Sequence, residues 1–436
     1  MKSLNPDSNR VRLPRREFLK NAVLVASGAA IGPPSIASAA ESGTASAKRG
    51  YPYHGRPDNY SEFRVIEPGR VIRTIETFNQ GMFAIVRVTT ADGQEGYGQI
   101  ATFETEISVM TLHRKIAPLV LGKDPANIDS IVDHCIDANH KFPWSFVCRA
   151  LGGVDTAIWD LYGRIKQKPV AELLGGKVRP LPAYGSSMSR TISPEAEAAR
   201  LVKLRDTQGF RGFKIRVAKE NGHDVDAAPG RSEKIIPTVR KALGAAVALK
   251  ADANSGFTPP RAIAIGRILE DHGFNHYEEP CPYWELEWTA EVAAALKVPV
   301  AGGEQDNDVA QWRRMIRMNA VDIVQPDVLY LGGITRAWRV GLLAGLAGKP
   351  VVPHSANHSM VTLFTLHLLA ATPNAGPMME WSIEDTGMNQ QAAGLFSPSP
   401  FVKDGQAHFE PGPGWGVKIN PEWLKNAAYQ KSESQA

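Results

Sequence analysis

Asp252, Glu278 and Glu304 are spaced 26 residues apart, each at the C-terminal end of a short strand-like run. The runs are Val247-Ala248-Leu249-Lys250-Ala251, Phe274-Asn275-His276-Tyr277 and Val298-Pro299-Val300-Ala301-Gly302-Gly303. Carboxylates gathered at one place repel each other unless a hard dication lies between them, and an all-oxygen donor set suits Mg²⁺. The rhythm continues beyond Asp327 to His354, 27 residues later, and to Glu380, 26 residues after that. Lys214 and Arg216 stand two apart, so on a strand both point the same way. Carboxylates with a dication, an imidazole and a lysine are the parts of metal-assisted acid–base chemistry.

Such an interval holds one strand, one helix and their loops, which makes it a βα unit. In a (β/α) barrel the C-terminal strand ends ring a single face, where active sites are built. Strands are expected at 181–187, 212–217, 247–252, 275–279, 298–304, 322–327, 350–354 and 378–382, with helical segments between them. This is the pattern of a modified (β/α)8 TIM-type barrel over 181–382. Residues 61–180 read as an α+β capping domain. Two extended runs lie between Arg64 and Gln99, with a hairpin turn at Ala91-Asp92-Gly93-Gln94. Helical periodicity follows over about 104–122, 128–139 and 147–166. Residues 383–436 lack the barrel rhythm and are expected to pack on the cap. A polar insertion at 218–232 falls on the active-site face, after the second barrel strand.

The chain has 436 residues, 43% of them hydrophobic and 22% charged, as in ordinary soluble globular proteins. Its net charge of +4 comes from the first 39 residues, and the remainder carries 43 basic and 43 acidic residues. That balance gives no basic patch for nucleic acid or an anionic membrane. Pro14-Arg15-Arg16-Glu17-Phe18-Leu19-Lys20, a short apolar run and Ala37-Ser38-Ala39 make residues 1–39 a twin-arginine signal peptide, with a linker at 40–60. The apolar run is too short to span a membrane. A periplasmic enzyme exported by the twin-arginine translocation machinery is therefore expected. Cys135, Cys148 and Cys281 suit buried free thiols better than a Cys135–Cys148 disulfide.

In order and spacing, the chain resembles the enolase superfamily and, within it, the mandelate racemase subgroup. The likeness runs over residues 61–385. It rests on Ala150-Leu151-Gly152-Gly153-Val154-Asp155, Lys168-Pro169-Val170, Gly212-Phe213-Lys214-Ile215-Arg216 and Asp252-Ala253-Asn254. Glu278-Glu279-Pro280, Gly303-Glu304, Gln325-Pro326-Asp327, Pro353-His354-Ser355 and Glu380-Trp381 complete it. The resemblance implies one Mg²⁺ per subunit on Asp252, Glu278 and Glu304, and His354 as a base partnered by Asp327. It implies Lys214 beside the substrate carboxylate, with Glu380, if protonated, donating a hydrogen bond there. Asn254 and Ser355 are the expected substrate contacts. Glu279 is expected to be a structural neighbour, not a ligand. The implied substrate is a small carboxylate, the implied chemistry abstraction of its α-proton, and the implied assembly a homo-oligomer.

Arg216 stands where racemases of the subgroup place a second lysine base. A guanidinium is a poor proton acceptor, so the expected reaction is dehydration of an acid sugar to a 2-keto-3-deoxy acid, although Arg216 could serve as a base if strongly perturbed. A racemase or epimerase of a 2-hydroxy acid and a non-catalytic acid-sugar binding protein are the alternatives. Asp327 on the sixth strand, where muconate-lactonising enzymes want a lysine, argues against that branch. Specificity is expected to reside in loops 67–82, 141–145 and 218–232. Trp144, Trp284 and Trp288 are expected to serve packing.

Overall fold

The computed structural model describes residues 70–434. The expected signal peptide (1–39), the linker (40–60) and the first residues of the cap (61–69) lie outside the described residues.

The cap begins with an antiparallel sheet of β1 Ile72–Gln80, β2 Phe83–Thr90 and β3 Glu95–Ile100, three strands where two extended runs were expected. Along β2, Val86, Val88 and Thr90 are buried while Arg87 and Thr89 are half-buried, the period-two pattern of a strand with one face on a core. That core is shared with the 21-residue helix Phe146–Lys166, most of whose residues are buried. β3 lies so close to this helix that a Cβ at Gly98 would stand 2.4 Å from the Gly153 carbonyl oxygen, and one at Gly96 2.2 Å from that of Ala157. Glycine in this strand is therefore a requirement of backbone approach. Gly98→Ala is expected to lower unfolding free energy by about 1–3 kcal/mol through overpacking. Urea denaturation checks this, and a variant as stable as the parent would mean that the helix can move away from β3.

β4 Leu181–Ser186, β5 Gly212–Arg216, β6 Ala248–Asp252, β7 Tyr277–Glu278, β8 Val300–Gly302 and β9 Ile323–Val324 pair in order, all parallel. β10 Met379–Ser382 pairs in parallel with β4 and brings the sheet round on itself. The expected seventh strand is not continuous. It consists of single bridges, Val324 to Val351, Asp327 to His354 and Val351 to Ala375. Pro350 and Pro353 lack an N–H, so a regular ladder cannot run through this segment. Long helices follow each rung up to the seventh, among them Pro194–Gln208, Arg231–Leu243, Ile334–Leu346 and Met360–Ala371; β10 is followed by the short Met388–Ala392. Local signals set their ends. Ser193 accepts a hydrogen bond from the Ala196 N–H, Pro194 takes the first turn and Gly209 closes the helix at φ 74. The protein is a modified (β/α)8 barrel with an N-terminal cap.

The C-terminal segment divides between cap and barrel. β11 Phe396–Ser397 pairs with a later strand. β12 Phe401–Lys403 and β13 Gln406–His408 form a hairpin whose second strand runs antiparallel to β4. β14 Lys418–Ile419 is the partner of β11, and β15 Ala428–Glu433 joins β1 as the fourth strand of the cap sheet. The hairpin on the barrel departs from the expectation that the segment packs on the cap. It turns on Asp404-Gly405, with φ 52 and 72, a turn the sequence carries openly. Trp415 fastens the segment: its backbone N–H donates to Asp160 Oδ1 at 2.9 Å, and its indole N–H to the carbonyls of Tyr97 and Thr156.

Cys135, Cys148 and Cys281 are free and buried, and burial raises the thiols of Cys135 and Cys281 to about 12. Among the described residues no helix is long and apolar enough to cross a membrane.

Candidate active site

Lys214 and Arg216 leave β5 on the same side and are buried. In register, Lys214 lies beside Lys250, Arg216 beside Asp252, and Asp252 beside Glu278. Glu304 follows Gly303, whose φ of 114 turns the chain sharply after β8. Asp327 caps the short helix Val328–Leu331: its Oδ1 accepts from the Leu329 and Tyr330 N–H groups, both at 2.8 Å. Held in this way, its Oδ2 accepts from His354 Nδ1 at 2.7 Å. The structure thus brings the expected ring to one end of the barrel as two groups of ion pairs, Lys214 and Arg216 with Asp252, Glu278 and Glu380, and His354 with Glu304 and Asp327.

Lys214 Nζ lies 2.6 Å from Glu278, 2.6 Å from Glu380 and 3.4 Å from Asp252. Burial alone would lower its pKa, but these carboxylates hold it well above the usual lysine range. Arg216 contacts Asp252 through Nη1, donates to Asn254 Oδ1 at 2.6 Å and to the Ser187 carbonyl at 2.9 Å. Burial opposes its charge, yet Asp252, Glu278 and Glu380 raise its pKa above the ordinary value. The sequence-based option of Arg216 as a perturbed base is therefore corrected: the perturbation goes the other way. His354 Nε2 lies 3.4 Å from Glu304. Burial pulls the His354 pKa down, but Glu304, Asp327 and Glu380 outweigh it and bring it to about 10.

For Glu380 a hydrogen-bond donor role was expected only in its protonated form. Burial pushes its pKa up, but Lys214 and His354 dominate and hold it below the usual carboxylate range. It accepts from Ser186 Oγ at 2.7 Å and from the Ser355 N–H at 2.8 Å, so here it is an ionised acceptor and not a protonated donor. Ser355 serves Glu380 through its backbone, while its hydroxyl pairs with Thr362 Oγ1 at 3.2 Å. That side chain is turned toward the following helix, which corrects its expected role as a substrate contact. Asn254 is likewise taken up by protein. Its Oδ1 accepts from both Arg216 and Arg190, and its Nδ2 lies 3.5 Å from Glu279.

A dication can be tested against this ring. Asp252, Glu278 and Glu304 pair with the protein's own cations, and among the described residues no three His, Cys, Asp or Glu converge as they stand on a point that could hold an ion. The chemistry of the donors nevertheless fits one. Glu304 is pushed up to about 7 by burial first, with Asp252 and Glu278 adding to it against His354. Glu279, expected as a structural neighbour, is raised well above the carboxylate range by burial and then by Glu304, Asp252 and Glu278. Its Oε1 is buried and has no hydrogen-bond partner among the described residues. This surplus of buried negative charge is what a hard cation on carboxylate oxygens would relieve. Beside the ring, a cavity of about 340 Å³ opens between Met188, Ala356, Ser382, Glu384 and Met388.

The tryptophans depart from the expectation of packing. Trp144, Trp284 and Trp288 are 39%, 53% and 37% exposed, on or beside loops. Tyr330 stands over the site, its ring 5.9 Å from that of His354 and capped by the Arg149 guanidinium at 3.8 Å.

Residues 196–423 match the family described as enolase C-terminal domain-like, and residues 62–175 match the mandelate racemase / muconate lactonizing enzyme N-terminal domain. The chain is 30% identical over 341 residues to the arabinonate dehydratase of Saccharolobus solfataricus, covering 76% of this chain and 87% of that protein. A solved structure from Roseobacter denitrificans, provisionally described as a racemase, is 53% identical with a TM-score of 0.82, over 84% of this chain and all of that one. A mandelate racemase/muconate lactonizing protein from Paracoccus denitrificans, solved with magnesium, is 25% identical with a TM-score of 0.75, over 84% of this chain and 99% of that one. With both domains matched in order, the chain belongs to the enolase superfamily, carrying a mandelate racemase/muconate lactonizing-type cap ahead of an enolase-type barrel.

Proposed function

We propose that this protein is a Mg²⁺-dependent hydro-lyase that removes the α-proton of an acid sugar and eliminates the β-hydroxyl, giving a 2-keto-3-deoxy acid. One observation carries the reading. His354 is oriented by Asp327 and would act as a base once a cation on Glu304 offsets the charge that favours its imidazolium, while Arg216 is fixed in its charged form by Asp252. Because Nδ1 donates to Asp327, it is Nε2 that takes the α-proton. The same Nε2–H then protonates the departing β-hydroxyl, water leaves, and the enol formed becomes the 2-keto acid. Lys214 lies where it can pair with the substrate carboxylate as negative charge builds on it, and Arg216 adds fixed positive charge. Asp252, Glu278 and Glu304 would hold Mg²⁺, which would supply Lewis-acid charge to that carboxylate and offset the Glu304 charge beside His354.

Likeness to an arabinonate dehydratase supports the acid-sugar class. The Roseobacter likeness favours a second reading, racemisation or epimerisation. That reaction needs a base on each face of the α-carbon, a role for which a charged Arg216 is unsuited. Screening aldonic, uronic and aldaric acids for 2-keto acid tests the proposal. Activity is expected to vanish with EDTA and return with Mg²⁺, and one C2 configuration of the substrate is to be consumed. Consumption of both epimers, or α-deuterium exchange without keto acid, would favour the racemase reading; no exchange at all would leave a binding protein. The twin-arginine segment supports a periplasmic location as part of this proposal, and fractionation of cells expressing the full chain tests it.

A further inference from the structure

Beneath the ring the barrel interior remains polar where packed apolar side chains are the rule. Lys250 sits two residues before Asp252 on β6, and His276 two before Glu278, so each points inward one layer below a carboxylate of the ring. Both are buried, 5% and 0% exposed. Lys250 Nζ lies 3.4 Å from His276 Nδ1, and His276 Nε2 lies 3.0 Å from Glu278 Oε2. The ammonium of Lys250 also stands 4.8 Å from the centroid of the Tyr184 ring.

These contacts fix the imidazole. An ammonium offers only donors, so Nδ1 must accept; an ionised carboxylate offers only acceptors, so Nε2 must carry the hydrogen. Gln325 Nε2 donates to the same Glu278 Oε2 at 2.9 Å. Oε2 is thus held by two donors from within the barrel, and Oε1, which faces Lys214, is the oxygen presented to the site.

We propose that Lys250 and His276 are positioning residues, a buried relay that orients Glu278 so that one chosen oxygen is offered to the divalent cation. The inference rests on the reading of Glu278 as a metal ligand. Carboxylate ligands oriented by buried hydrogen bonds lose affinity when those bonds are removed, by about 10–100-fold. Lys250 acts through the imidazole: without it, Nδ1 can take the hydrogen, and a lone pair on Nε2 would then face Glu278.

The test is Mn²⁺ binding to the full chain, followed by the electron paramagnetic resonance signal of the free ion. His276→Leu is expected to weaken binding about 10–100-fold and Lys250→Met about 10-fold. A matched polar pair separates orientation from mere packing. In His276→Gln the amide nitrogen falls near the place of Nε2 and should hold affinity to within about threefold, whereas in His276→Asn it falls near Nδ1 and should not. Should His276→Leu fail to fold, the Gln and Asn variants still decide the matter. Equal Mn²⁺ affinity in the parent, Asn and Met variants overturns the relay and leaves the proposed function intact. A parent that does not bind Mn²⁺ overturns both.

Discussion

Replacing His354 with asparagine is expected to lower kcat for 2-keto acid formation by about 10²–10⁴-fold, the range that a positioned acid–base group supplies. The α-deuterium exchange of any substrate should fall with it, because the same Nε2 removes the proton and returns one to the leaving hydroxyl. Asparagine keeps a polar side chain beside Asp327, whose orientation depends on the Leu329 and Tyr330 N–H groups and not on the imidazole. The fold of the ring should therefore persist, and thermal unfolding should stay close to that of the parent. Keto acid formation at the parental rate in the asparagine variant would remove His354 from the chemistry. Loss of dehydration with retained exchange would instead assign the α-proton to another group, and with it the single-base reading would fall. Asp327→Asn should act in the same direction but more weakly, since it removes the charge that favours the imidazolium while leaving an acceptor near Nδ1.

The ring was legible in the sequence because its positions follow two rigid periods, the βα repeat and the two-residue alternation along a strand. Asp252, Glu278, Lys214 and Arg216 could be placed that way. Lys250 and His276 obey the same alternation, yet their contact depends on strand register across the barrel, which one chain does not display. The ionisation of Glu380 could not be read for a related reason: its state is set by Lys214 and His354, distant in sequence. Pro350 and Pro353 were a visible sign that the seventh rung would be interrupted. Trp284 lies in a loop and Trp288 in the first turn of the helix Leu286–Ala295, on the side away from its buried Leu286, Thr289 and Val292, and both are exposed. The hairpin at Asp404-Gly405 had a readable turn, but its partner on β4 lies far back in the chain.

Lys214→Met is expected to change stability and activity together. Its ammonium touches Glu278, Glu380 and Asp252, all nearly or fully buried. Methionine has a similar length but leaves those carboxylates without their shared cation, a change that costs about 3–5 kcal/mol where one partner of a buried pair is removed. In metal-free buffer the variant should therefore unfold at clearly lower urea than the parent. Magnesium should then stabilise the variant more than it does the parent, because in the parent the ion and Lys214 compete for the same oxygens, and binding to the native state raises stability in proportion to RT ln(1 + [L]/Kd). Turnover should nevertheless fall by about 10²–10³-fold, since a fixed charge beside the developing negative charge is lost. Lys214→Arg is not expected to restore it, as a planar guanidinium cannot meet Glu278 and Glu380 as a compact ammonium does. Unchanged urea unfolding in metal-free buffer would show that the three carboxylates do not depend on Lys214. Magnesium stabilising variant and parent equally would show that the ion binds away from them.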